Sequence, residues 1–241
     1  MIPIRDCLVR RYTPYMTWLI IALNCFIFLF EIMLSEKELD YIFHLFGIIP
    51  AKYMLLEDIP LNPIYYLPFL TSMFLHGGWF HLISNMWIMW IFADNIEDKM
   101  GSYRFLAFYL LCGVGAGWIH CIINPTSTLP TIGASGAISG ILGAYMVMFP
   151  KAKVITLFPI LFFPFFFALP AVFYILMWFV IQLFSGVGSL LTQKDVGGVA
   201  WWAHIGGFFF GVILHRFFVI KKRLRIYKDQ FDYYCAWGKF P

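Results

Sequence analysis

Ser135 and His204 are the residues of this chain best suited by type to attack a carbonyl carbon. A serine hydroxyl is a weak nucleophile until a base takes its proton, and a neutral imidazole is the commonest such base. Ser135 lies in Gly133-Ala134-Ser135-Gly136 at the start of a short apolar run, and His204 lies in Ala203-His204-Ile205-Gly206-Gly207 inside a later one. A second polar pair, His81 and Asn85, is spaced i, i+4 and so shares one helix face. That pair could be an interhelical hydrogen bond, worth about 0.6–2 kcal/mol, or two donors aimed at a developing oxyanion. His76, in Leu75-His76-Gly77-Gly78-Trp79, fits a structural or gating role better than a catalytic one. Ser135 has a bland alternative of its own: a serine opening a helix serves as an N-cap.

These side chains sit in a chain that lipid must solvate. Of 241 residues, 61% are hydrophobic and only 12% charged, against about 25% charged in a soluble domain. The mean hydropathy is +0.79, more apolar surface than one core of this size can hide. The pattern predicts an all-α membrane protein with one domain over 1–241. Its six spans fall at about 16–34, 78–96, 104–123, 135–149, 165–185 and 199–219, and a basic tail follows at 220–241. The apolar run from Val154 to Phe184 is broken by Pro159, Pro164 and Pro170. Its first part is expected to be a loop or interfacial segment and its second part the fifth span. The first span is long enough to cross and lacks a cleavage site, so no removable leader is expected.

An even number of spans puts both termini on one side. Fourteen of the 17 Lys and Arg residues fall there, leaving Lys37, Lys52 and Lys194 on the other. The positive-inside rule then places the termini in the cytoplasm. Anionic lipid accounts for the basic tail, so no nucleic-acid partner is expected. The stretch 35–77 is rich in Tyr and Pro and suits a segment lying in the membrane interface.

The fourth span is short. Its 15 residues make about 22 Å of helix, against about 30 Å of hydrocarbon. With its far end at the cytoplasmic interface near Lys151, Ser135 lies inside the membrane. The stretch 124–134 must then dip to meet it beside a wet cavity. Gly136, Gly140 and Gly143 continue down this span as a small-residue stripe, and His204, Gly207 and Gly211 form a matching one in the sixth. Two such faces pack with backbones nearly touching, which would bring Ser135 and His204 within hydrogen-bond reach. An ionisable group inside a span is expensive and usually functional.

Together these pieces resemble the rhomboid family of intramembrane serine proteases. The matching elements occur in the family's order: His76-Gly77-Gly78-Trp79-Phe80-His81 continuing to Asn85, then Gly133-Ala134-Ser135-Gly136, then Ala203-His204-Ile205-Gly206-Gly207. Glu97 and Gly101 resemble an ExxxG element after the second span. The resemblance implies Ser135 as nucleophile and His204 as general base. His81, Asn85 and the Ser135 backbone N–H would form the oxyanion hole, and Glu97 and Gly101 a structural element. It also implies a membrane-lying first loop, and a mobile gate and cap formed by the fifth span and residues 186–198. The sequence departs from the family in two places. Leu67-Pro68 stands where some members carry Trp-Arg, and Ser139 stands where some carry an aromatic residue packed on the histidine. Ser139 is also the rival nucleophile, one turn and about 6 Å deeper.

No acidic residue lies in the sixth span near His204, which predicts a Ser–His dyad rather than a triad. The expected substrates are transmembrane segments of other proteins, cut near the extracytoplasmic face. The expected site is a bacterial-type plasma membrane. No metal or organic cofactor is implied: there is no HExxH, no CxxC pair and no convergent carboxylate. The alternative is an inactive rhomboid-like protein that binds and escorts membrane clients. A transporter would share the half-helix, but no inverted repeat is visible.

Overall fold

The computed structural model describes residues 1–55, 62–160, 163–192 and 199–223. In chain order the elements are β1 (Ile2–Asp6), α1 (Tyr15–Glu31), α2 (Glu36–Phe46), α3 (Pro50–Met54), α4 (Pro68–Thr71), α5 (Trp79–Met100), α6 (Ser102–Ile123), α7 (Ser135–Met148), β2 (Lys153–Ile160), β3 (Phe163–Pro170), α8 (Ala171–Thr192) and α9 (Trp201–Phe218). Two 3-10 turns, Pro63–Tyr66 and Ser72–Phe74, flank α4.

Helix α7 is the centre of the bundle. Every residue from Gly136 to Tyr145 is buried, so it is apolar all round because protein surrounds it. Helix α1 buries a single stripe. In α1, Thr17, Ile20, Asn24, Phe28 and Glu31 face inward, while Leu19, Leu23, Phe26 and Phe30 are exposed. Exposed apolar residues of that kind need a hydrocarbon solvent. Helix α6 (Ser102–Ile123) and the Ala171–Leu191 part of α8 are each long and apolar enough to cross a membrane, with mean hydropathy 1.9. The apolar helices α1 and α7 are shorter.

Helices α1, α5, α6, α7 and α9 lie within four residues of the segments expected as spans; the Pro-broken run does not match. The fold is not all helix: β1, β2 and β3 form an antiparallel sheet in that order. β2 and β3 pair from Lys153 with Pro170 to Ile160 with Phe163, so that Pro159 faces Pro164. The helix expected as the fifth span therefore begins at Ala171, not at residue 165. Three closely spaced prolines exclude a helix here. Six consecutive residues of β3 (163–168) are exposed, so neither face of the strand is against the core, and no period-2 alternation marks it in the sequence. Helix α8 also runs on to Thr192, through much of the segment expected as the cap loop 186–198. Residues 193–198 lie outside the described residues, as does the tail from 224 onward.

Among the described residues the first loop is largely helical. Its α2 starts with a capping box, in which Ser35 and Glu38 exchange side-chain to backbone bonds. Farther on, Tyr53, Tyr66 and Phe69 pack against Trp118 of α6, with Phe69 stacked at 4.8 Å. At the opposite end, β1 is tied into the bundle through Asp6, which accepts hydrogen bonds from Tyr145 of α7 and, at 2.9 Å, from Asn95 of α5.

Candidate active site

The approach to Ser135 is irregular backbone, and protein satisfies it. Ile48 and Thr131 exchange backbone hydrogen bonds at 3.0 and 2.7 Å, Ala51 donates to the Ser127 carbonyl at 2.9 Å, and Gly133 donates to the Ser72 carbonyl at 2.8 Å. Gly133 has φ +119°, a conformation that only glycine adopts without strain. It turns the chain so that Ala134 is the N-cap and Ser135 the first residue of α7.

The N-cap is Ala134, not Ser135, so the bland capping role is not the one Ser135 plays. Its Oγ lies 2.8 Å from Nε2 of His204. The other ring nitrogen, Nδ1, lies 2.7 Å from Oε1 of Gln182 on α8. An amide oxygen only accepts, so Nδ1 carries the proton, and Nε2 offers its lone pair to the Ser135 hydroxyl. Trp178 and Trp201 flank the imidazole, each with its ring centre 6.2 Å away.

The glycine stripes explain how two residues so distant in sequence meet. A Cβ on Gly207 would lie 2.0 Å from the Gly136 carbonyl oxygen, and one on Gly211 would lie 1.9 Å from that of Gly140. From the other side, a Cβ on Gly143 would lie 2.3 Å from the Phe208 carbonyl oxygen. The backbones of α7 and α9 are thus in direct contact, as the spacing predicts.

His81 and Asn85 lie across from this pair. A Cβ on Gly133 would sit 2.6 Å from His81 Nε2 and 3.7 Å from Asn85 Nδ2, so both nitrogens converge on the turn before Ser135. Asn85 Nδ2 is buried with no hydrogen-bond partner among the described residues, a costly arrangement unless something else is to be bound there. Ser135, His204, His81, Asn85 and Gln182 all line one cavity of about 520 Å³.

The remaining expected residues lie elsewhere. His76 is buried away from the cavity; its N–H donates to the Glu31 carboxylate at 3.2 Å and its ring packs edge-on to His81 at 5.0 Å. Glu97 caps α1 from a distance, accepting from the Met16 N–H at 3.0 Å and from the Thr17 N–H and hydroxyl at 2.8 Å each. Gly101, with φ +78°, makes the sharp link between α5 and α6. Ser139, the rival nucleophile, is 1% exposed, and its hydroxyl is bonded to the Ser135 carbonyl at 2.6 Å. Among the described residues no three His, Cys, Asp or Glu side chains converge as a metal-ligand group. Sequence reasoning missed Gln182. Its signal was present, a lone amide in the middle of an apolar span.

The Rhomboid domain family model matches residues 65–221, a range that contains every residue of this cavity's polar wall. The chain belongs to the rhomboid family. Among curated proteins, this rhomboid is similar to the mitochondrial presenilin-associated rhomboid-like protein of Mus musculus. The two are 30% identical over 161 residues, which cover 64% of this chain and 38% of that protein. The protein of the same name from Homo sapiens is 26% identical over the same shares. Rhomboid-like protein 11, chloroplastic, of Arabidopsis thaliana is 36% identical over 73 residues, or 30% of this chain and 26% of that one. The match to the presenilin-associated relatives therefore spans little more than a third of their length. Relatives named for mitochondria and chloroplasts give no support to the expected bacterial plasma membrane, and membrane protein of the rhomboid family is as far as the comparison reaches.

Proposed function

We propose that this rhomboid is an intramembrane serine endopeptidase that cuts transmembrane segments near the extracytoplasmic face, with Ser135 as nucleophile and His204 as general base. The observation that carries the proposal is the 2.8 Å contact between Ser135 Oγ and His204 Nε2, made inside a cavity that also presents His81 and Asn85. His204 takes the hydroxyl proton as Ser135 attacks the scissile carbonyl, then returns it to the leaving amine. Water releases the acyl group. His81, Asn85 and the Ser135 N–H at the start of α7 hold the oxyanion, where the helix dipole also favours negative charge. A helical substrate must unwind to expose a peptide bond, which favours small or helix-weakening residues at the cut.

In this proposal α1, α5, α6, α7, α8 and α9 are the six spans, with both termini cytoplasmic. Contacts between the segments assigned to the cytoplasmic side favour that arrangement. Arg11 N–H bonds Asp98, Cys7 N–H bonds the Lys153 carbonyl, and Ile220 N–H bonds the Lys99 carbonyl, so basic segments gather at one end of the bundle. The Ser135 cavity lies toward the other end.

The test is cleavage of a single-span substrate in liposomes by wild type, Ser135→Ala, Ser139→Ala and His204→Ala. Wild type and Ser139→Ala should cut, and the other two should not. Cutting by Ser135→Ala would sink the assignment. Binding of clients by a wild type that cuts nothing would instead favour the escort alternative.

A further inference from the structure

We propose that Gln182 is the positioning residue for His204: its amide oxygen fixes which ring nitrogen carries the proton and points the other at Ser135. This rests on the Ser135–His204 pair being catalytic.

A neutral imidazole has one N–H and two tautomers, and only the form protonated at Nδ1 can accept a proton at Nε2. Left alone, the ring divides between the two forms and can turn about its own axis. Gln182 removes both freedoms, because its Oε1 lies 2.7 Å from Nδ1 and can only accept. The residue is 6% exposed, so little of its amide is open to water. Trp178 and Trp201 restrict the tilt of the ring, but neither places an acceptor at Nδ1.

The choice of an amide follows from the setting. A carboxylate would orient the ring equally well, but an ionised group in an apolar site carries a large desolvation cost. Glutamine supplies the acceptor without the charge. It also comes from a different helix than either Ser135 or His204, so the site is completed by α8 as well as by α7 and α9.

The experiment compares wild type, Gln182→Met and Gln182→Glu in liposomes. Methionine keeps the shape and loses the acceptor; glutamate restores the acceptor. Gln182→Met should lose about 10–100-fold in kcat, the range seen when the hydrogen-bonding partner of a metal-bound histidine is removed, with KM changed less than about twofold. Gln182→Glu should recover much of that loss. In ¹⁵N spectra of labelled histidine, assigned by difference from His204→Asn, wild type should show one tautomer of His204 and Gln182→Met a mixture. Wild-type kcat in Gln182→Met, an unchanged ¹⁵N pattern, or equal losses in Gln182→Met and Gln182→Glu would overturn the proposal. Should the Met variant melt early, Gln182→Leu, which also lacks the acceptor, takes its place in both measurements. The spectra need no substrate, so failure of the protease assignment and failure of the Gln182 role give different results.

Discussion

The carbonyl oxygen of Gly136 occupies the space where a side chain on Gly207 would begin, 2.0 Å from the position of its Cβ. Both partners are backbone, so neither can swing aside. The helix spacing that joins Ser135 to His204 is therefore set by two glycines that take no part in the proposed chemistry, and close backbone contact of this kind also allows Cα–H to carbonyl interactions.

Gly207→Ala should force α7 and α9 apart. Overpacking of this kind costs about 1–3 kcal/mol, and a displacement near 1 Å at a reacting pair costs about 10²-fold in rate. Gly188→Ala, where a Cβ meets nothing within 4 Å, should leave both stability and rate near wild type. Thermal midpoints and liposome cleavage rates of the two variants check the contrast; equal effects would show that the contact does not set the site.

His81→Ala and Asn85→Ala should each lower kcat by about 10²–10³-fold with a smaller change in KM, the pattern for a donor used in the transition state. Steady-state kinetics on a single-span substrate decide this. A loss confined to KM would make the pair a substrate-binding element instead.

Glu97→Ala should destabilise the fold without touching the cavity. Glu97 accepts from Met16, Thr17 and Ser102, and each buried donor left unpaired costs about 1–3 kcal/mol. The thermal midpoint should fall. Activity per folded molecule, normalised by active-site labelling of Ser135, should not.

Asp6 predicts a pH dependence of stability. Burial, helped by the nearby Asp94 carboxylate, pushes its carboxyl up to about 8, from about 3.9 for a solvated aspartate. The folded state therefore holds a proton that the unfolded chain releases. This stabilisation is complete below about 4 and is lost as pH rises through about 8. The thermal midpoint should decline between those limits, and Asp6→Asn, permanently neutral, should flatten the decline. An unchanged slope in Asp6→Asn would exclude Asp6 as its source.

Much of the site was legible because lipid punishes polar residues. Ser135, His204, His81 and Asn85 stand out in apolar runs where each needs a reason to be present, and helical spacing of the glycines shows which faces touch. Gln182 obeys the same logic but raises a weaker flag, because a neutral amide is cheaper to bury than an ionisable ring. The Phe-rich hairpin was illegible for a different reason. With both faces of β3 exposed, its residues carry no alternation, and the prolines that exclude a helix do not by themselves name a strand.

The sequence by itself determined the solvent, the order of the helices and the residues that meet at the α7–α9 seam, because all three follow from local composition and from the 3.6-residue period. Only the tertiary structure decided what surrounds that seam: the acceptor behind His204, the strand partners of residues 2–6, and the carboxylate of Glu97 reaching back to the start of α1. Those contacts join segments on different elements, and no periodicity within one segment records which distant segment will fold against it.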